Sequence, residues 1–197
     1  MEEKVAQIRI FELNQFNYPK FRGKILRLYV NTFTSGEYAQ YIPQESAEST
    51  LDEMLRNGSG QMAFIDDKLA GVLIALPLSH DKEFPKEDCF DISVETSVYI
   101  AEVMTHPDFR VKDVIAELIE NFLRNVKNNY TDVVICIRDE NKPVLKLYEK
   151  LDFHPITTTK QTKYRTVEKV FEMRKVYLRK NLSPNSLKGN NEGNQFN

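Results

Sequence analysis

The sequence predicts an α/β protein built on one mixed, mostly antiparallel sheet with a central parallel β-α-β unit flanked by helices. Three observations carry that reading. Strand-like and helix-like runs follow one another in the order β, α, α, β, β, β, α, β, α, β, β. Inside that order, Val98 to Phe153 reads strand (VYIAEVMT), turn, helix (VKDVIAELIENFLRNVKNN), strand (DVVICIR), turn and helix (VLKLYEKLDF). A strand, helix and strand joined in this way make a parallel pair. The runs on either side of this unit are hairpin-like, which suits antiparallel pairing and makes the sheet mixed.

In chain order, Val5 to Leu13 alternates apolar positions (Ile8, Ile10, with Ala6 before them), the period of a half-buried strand. After Tyr18-Pro19, the run FRGKILRLYVNTF puts Ile25, Leu28, Tyr29 and Thr32 at helical spacing, and Thr34-Ser35-Gly36 ends it. Pro43 opens a second, acidic helix with a narrow stripe of Leu51, Met54 and Leu55, stopping at Gly58. GQMAFIDD and KLAGVLIALPLSH then read as a hairpin turning at Asp66-Asp67. Asp81 to Glu95 is polar, carries Pro85 and lacks a period, so it is expected to be an inserted loop bordering a binding site. After the central unit, HPITTTKQTKYRTV and EKVFEMRKVYL close the sheet as a long hairpin. Residues 1–180 thus form one domain, and residues 181–197, rich in Asn, Gly and Ser, are expected to be a disordered tail.

Composition narrows the function classes. The chain has 197 residues, 41% hydrophobic and 28% charged, with a net charge of −2, so nothing draws it to nucleic acid or an acidic membrane surface. The charged start MEEKVAQIRIFEL is unlike a secretory signal, and no apolar run approaches a membrane span. A cytoplasmic protein is expected. Cys89 and Cys136 make no metal-ligand spacing and are read as reduced thiols, so no metal is expected.

Two turns of the central unit carry the candidate chemistry. In HPDFRVKDVIAEL, a strand ending at Thr105 passes through His106-Pro107 into a helix starting near Lys112. The free N–H groups of that helix then point beyond the strand end, which suits phosphate, and Arg110 and Lys112 add positive charge. On physics alone, a solvated turn explains these residues equally well. In DENKPVLKLYEKLDF, Asn141 follows a strand end, and Val144, Leu147, Tyr148 and Leu151 share one helix face closed by Phe153. Spacing alone makes Tyr148 a core aromatic with its hydroxyl at the rim.

Together these segments resemble the GNAT superfamily of acyl-CoA-dependent N-acetyltransferases, as an element order from Ile8 to Leu178 and at the level of motifs from Val103 to Phe153. The family's V-x-V-x-P strand end followed by R-x-x-G-x-G/A is matched by Val103-Met104-Thr105-His106-Pro107 and by Arg110-Val111-Lys112-Asp113-Val114-Ile115. Its Asn and L-Y-E-K-x-G-F helix are matched by Asn141 and Leu147 to Phe153. The resemblance implies that the backbone of Val103 and Thr105 holds the pantetheine arm of acetyl-CoA. It implies that the N–H groups from Val111 to Ala116 hold the pyrophosphate, with Arg110 beside them. Asn141 and Tyr148 border the same cofactor, and Tyr148 is made the general acid. Both loop glycines are replaced, by Asp113 and Ile115; Asp113 is expected to cap the helix start. Asp152 stands where the family has the Gly before Phe153.

Amine acetylation needs a neutral nucleophile, donors on the carbonyl and a proton for the departing thiolate. Glu102 on the central strand is a candidate base if it faces the cleft, with Glu95 and His106 as other candidates. His80 and His154, at strand ends, are read as surface residues. The implied activity is direct acetyl transfer to an amine of a small molecule or protein in a ternary complex. The other reading is a weak or inactive acyl-CoA-binding or partner-binding module, which the missing glycines favour. An acidic lip of Glu37, Glu45 and Glu48 would suit a cationic acceptor, a solvated helix face being the commoner explanation. The long last strands offer a surface for a homodimer.

Overall fold

The computed structural model describes residues 7–109 and 113–182. Arg110, Val111 and Lys112, three of the expected cofactor residues, lie outside the described residues, as do Val5, Ala6 and the tail beyond 182.

The elements follow the predicted order: β1 (Arg9–Leu13), α1 (Tyr18–Phe33), α2 (Gln44–Asn57), β2 (Ser59–Ile65), β3 (Lys68–Pro77), β4 (Ser97–Thr105), α3 (Val114–Val126), β5 (Asp132–Arg138), α4 (Lys142–Lys150), β6 (His154–Tyr164) and β7 (Val170–Asn181). The strands form one open sheet in the order β1-β2-β3-β4-β5-β7-β6, parallel only between β4 and β5. At the β2–β3 turn, Asp66 and Asp67 both take positive φ (47° and 63°), the pattern of a two-residue type I′ turn.

Helix boundaries shift from the expected ones for local reasons. Helix α1 starts at Tyr18 because Pro19 fits the first turn, where no N–H partner is needed. Helix α3 starts only at Val114, since Asp113 is left-handed (φ 48°, ψ 18°) and breaks any helix running through it. Helix α4 takes Pro143 into its first turn and stops before Asp152, which is left-handed at φ 64°.

Each sheet face has its own packing. On one face, α3 and α4 bury Val114, Leu118, Ile119, Phe122 and Tyr148 against Ile65, Leu73, Ile100 and Ile135. On the other, α1 and α2 bury Ile25, Leu28 and Leu51 against Met62, Val72, Ile74 and Met104. Asp52 locks these two helices together, accepting from Tyr18 Oη (2.8 Å) and from both Nε and Nη2 of Arg22 (2.8 and 2.9 Å). The insertion from Asp81 to Glu95 is anchored on this second face by a small core of its own. Phe84, Cys89 and Ile92 pack with Leu78, Val134 and Tyr177, and Tyr177 Oη donates to Asp81 at 2.9 Å.

Candidate active site

Strands β4 and β5 pair only over Ser97–Ile100 and Asp132–Ile135. Beyond that, β4 stays with β3 as far as Thr105 and β5 stays with β7 as far as Arg138, so the two strands part and leave an opening inside the sheet. The cause lies in β4. Ile100 pairs with Ala75 and Glu102 with Ile74, so Ala101 is an extra residue, and such a bulge bends its strand. His106 donates its backbone N–H to the Ala70 carbonyl at 2.8 Å, on the β3 side. By alternation, Val103 and Thr105 turn their backbone groups to the opening. These are donors and acceptors without a strand partner, suited to an extended, amide-bearing ligand.

The bulge also decides where Glu102 points. Paired with Ile74 and one residue before Val103, which packs toward α3, Glu102 lies on the α1 and α2 face. It sits between the two separate cores of that face, half-buried, and burial pushes its carboxyl up to about 7 against the opposing pull of Lys175 and Lys163. Tyr29 of α1 is near enough for Glu102 to add to the effect of burial in raising its phenol. Tyr148 belongs to the opposite face. It is 1% exposed, edge-on to Phe153 at 5.1 Å, and burial pushes its phenol far above the usual range. Glu102 and Tyr148 thus lie on opposite faces of the sheet, a carboxyl raised to about 7 on one and a phenol that stays protonated on the other.

At the start of α3, Val114 is buried while Ile115 and Ala116 are partly buried in the first turn. Asp113 occupies the N-cap position but its exposed side chain makes no capping hydrogen bond, so the expected capping role is not seen. Its departure from the family glycine instead appears in the left-handed backbone that glycine takes easily. Asn141 stands at the N-cap of α4, half-buried, accepting from the Leu145 N–H through its carbonyl (3.0 Å) and leaving its side-chain amide out of the cap. Glu95, His80 and His154 are exposed, the last held by Asp152, while His106 accepts from the Asp108 N–H in the turn. Glu48 is spent on Arg22 at 3.1 Å, and Glu45 shares the polar groove between α1 and α2 rather than an acidic lip. A cavity of about 890 Å³ lies between α1, the β2–β3 turn and the turn after β4, rimmed by Lys24, Arg27, Lys68 and His106; neither Glu102 nor Tyr148 lines it. Among the described residues no cluster fit to hold a metal is found, and no helix is long and apolar enough to cross a membrane.

Sequence reasoning missed two features of the cleft. Lys163 and Lys175 project on the same face as Glu102, which only the β5–β7–β6 register reveals. Residues 34–43 cross from α1 to the far strands: Tyr41 N–H donates to the Tyr164 carbonyl (2.7 Å), and Arg165 Nη1 to the carbonyls of Glu37 and Ala39 (2.6 and 2.9 Å). Tyr38 lies under the Arg138 guanidinium (3.8 Å to the ring) and hydrogen-bonds Glu140, so this segment bridges to the C-terminal end of β5.

Known proteins share this fold. The fold is similar to an N-acetyltransferase from Staphylococcus aureus Mu50 (TM-score 0.63, 13% identity, 90% of this chain and 100% of that one). It is similar to the ribosomal-protein-S18-alanine N-acetyltransferase from Escherichia coli (0.62, 14%, 95% and 99%). It is also similar to yncA from Salmonella typhimurium, solved with its cofactor acetyl-CoA (0.62, 11%, 90% and 95%). No curated protein matches the sequence. The model of the acetyltransferase (GNAT) family matches residues 24–153, about two thirds of the chain, which includes the bulged strand, the opening beside it and the helix of Tyr148; the chain belongs to that family.

Proposed function

We propose that this protein transfers an acetyl group from acetyl-CoA to an amine, directly and within a ternary complex. The observation that carries this is the opening where β4 and β5 part, with Glu102 on one face of the sheet and Tyr148 on the other. The thioester of acetyl-CoA supplies the activated acyl group. Val103 and Thr105 would hold the pantetheine amides through their unpaired backbone, and the first-turn N–H groups of α3 would meet the diphosphate. An amine entering from the α1 face meets Glu102, whose carboxyl near 7 can take its proton directly or through water. On the other face, Tyr148 holds a proton for the departing sulfur. Asn141, at the head of the same helix, borders the cofactor.

The second reading, an acyl-CoA-binding module with weak or no turnover, is favoured by one observation. Asp113 sets an exposed carboxylate at the α3 start, where it opposes a diphosphate. Calorimetric titration with acetyl-CoA, followed by a thiol-release assay over a panel of amines, separates the two. The transferase reading expects saturable binding and amine-dependent thiol release. Binding without release supports the module, and no heat or thermal shift at millimolar acetyl-CoA sinks both.

A further inference from the structure

The cleft carries a charge pattern that bears on its acceptor. On β6 and β7, His154, Lys160, Arg174, Arg179 and Lys180 each lie against a carboxylate, Asp152, Glu172, Asp139, Asp132 and Asp152 respectively. Lys163 and Lys175 are the two cations of these strands that do not: among the described residues neither makes a side-chain hydrogen bond or an ion pair. Both lie on the sheet face of Glu102, which they share with Arg179, itself held by Asp91 and Asp132. Lys175 pairs with Arg138 and Thr159, and Lys163 with Phe171, so both share the face of Cys136 and Tyr177. Both are half-buried, and burial followed by the repulsion of Lys175 lowers the ammonium of Lys163.

Among the described residues Asp81, Glu83 and Glu102 feel these charges, but none of them makes an ion pair with either lysine. Glu102 feels both lysines but is in ion-pair contact with neither, and its carboxyl stays near 7 despite them. Glu83 accepts from the Gln161 amide, and Asp81 accepts from Tyr177 Oη at 2.9 Å. The neighbouring Arg138 is stacked on Tyr38. Two half-buried like charges that no carboxylate touches repel each other alone and are brought together favourably by an anion in direct contact with both. Only β5 separates β4 from β7, so their backbones lie on the order of 10 Å apart, wider where β4 and β5 part.

We propose that Lys163 and Lys175 are the anion-binding end of the acceptor site, and that the acceptor is an amino acid or similarly small amine bearing a carboxylate. Its amine lies at Glu102 and its carboxylate between the lysine heads. The position of the amine rests on the transferase reading; the anion site does not. Phosphorylated amines share the anionic chemistry and form a separate arm of the test.

The full-length protein, with coenzyme A present, is titrated by calorimetry with the common amino acids, their amides, the corresponding decarboxylated amines, and amino-sugar phosphates. At least one amino acid is expected to bind about tenfold or more tighter than its amide and its decarboxylated amine. Lys163→Gln and Lys175→Gln are each expected to remove about tenfold of that preference, with acetyl-CoA affinity and melting unchanged. A lysine-dependent preference confined to the phosphorylated amines overturns the carboxylate assignment. Amides binding as tightly as acids, a preference that survives both variants, or no binding in any arm overturns the proposal altogether. Acetyl transfer measured on the same samples keeps the two readings apart. Lysine-dependent amino-acid binding without transfer keeps the anion site and removes the transferase.

Discussion

The backbone N–H of Phe153 donates to the carbonyl of Tyr148 at 2.9 Å while their rings meet edge to face, 5.1 Å apart. With the bond from Asp152 N–H to the Glu149 carbonyl (2.9 Å), this is a Schellman ending of α4, closed by its usual apolar contact between C3 and C″. The tyrosine is therefore fixed by the way its own helix stops. Tyr148→Phe keeps the packing and loses one hydroxyl, so stability is expected to change by less than about 1 kcal/mol while kcat falls about a hundredfold. Phe153→Ala is expected to cost about 3–5 kcal/mol. Thermal melts and thiol-release kinetics check both, and an unchanged kcat in Tyr148→Phe removes it from the acid role.

What could be read from the sequence was local. The element order, the Asp66-Asp67 turn and the Asn141 to Phe153 segment are set by nearby residues, and the structure reproduces them. The face of Glu102 is not local. Strict alternation from Ile100 would send Glu102 toward α3, and the extra residue Ala101 turns it to the other side. Lys163 and Lys175 gain meaning only once β6 and β7 are in register, and the hold of Arg165 on Glu37 and Ala39 joins residues far apart in the chain. The insertion at 81–95 looked structureless because its apolar residues, Phe84, Cys89 and Ile92, follow no period; they pack into a turn-rich segment.

Glu102 gives a pH prediction. Its folded value of about 7 exceeds the ordinary 4.5, so the folded state holds the proton more tightly than the unfolded chain. The ionised carboxyl therefore costs stability above pH 7, and the cost fades as pH falls through 7 toward 4.5. Glu102→Gln is expected to raise stability by up to about 3 kcal/mol at alkaline pH and to change little near pH 4. As base it must be ionised, so wild-type kcat/KM should rise with pH through about 7, and the variant should lose that limb. Urea melts and pH–rate profiles of the pair test this; an unchanged acid limb in Glu102→Gln removes Glu102 as the base.

Asp113 combines a left-handed backbone with an exposed carboxylate at the helix start, which would repel the expected diphosphate. Asp113→Gly relieves both. Stability is expected to rise by about 0.5–1 kcal/mol and acetyl-CoA to bind roughly three- to tenfold tighter at low salt, the gap narrowing as salt screens the carboxylate. Calorimetry at two ionic strengths provides the check. Weaker binding by the variant would show that Asp113 contributes to the site.

Gly71 on β3 sets how closely α3 approaches the sheet. A Cβ there would come within 2.7 Å of Val114 Cγ1, 3.0 Å of the Met104 carbonyl oxygen and 3.1 Å of Leu118 Cδ1. The Met104 backbone of β4 cannot yield, so Gly71→Ala is expected to displace the Val114 and Leu118 side chains and with them the first turn of α3, at a cost of about 1–3 kcal/mol. That turn carries the N–H groups expected to meet the diphosphate, so acetyl-CoA affinity should fall along with stability. Removing the Val114 methyls reopens part of the space. The double variant with Val114→Ala should therefore be more stable than the sum of the single changes predicts, by at least about 0.5 kcal/mol. Urea denaturation of the four proteins in the cycle measures that coupling, and strict additivity would mean that Gly71 does not hold α3 through Val114.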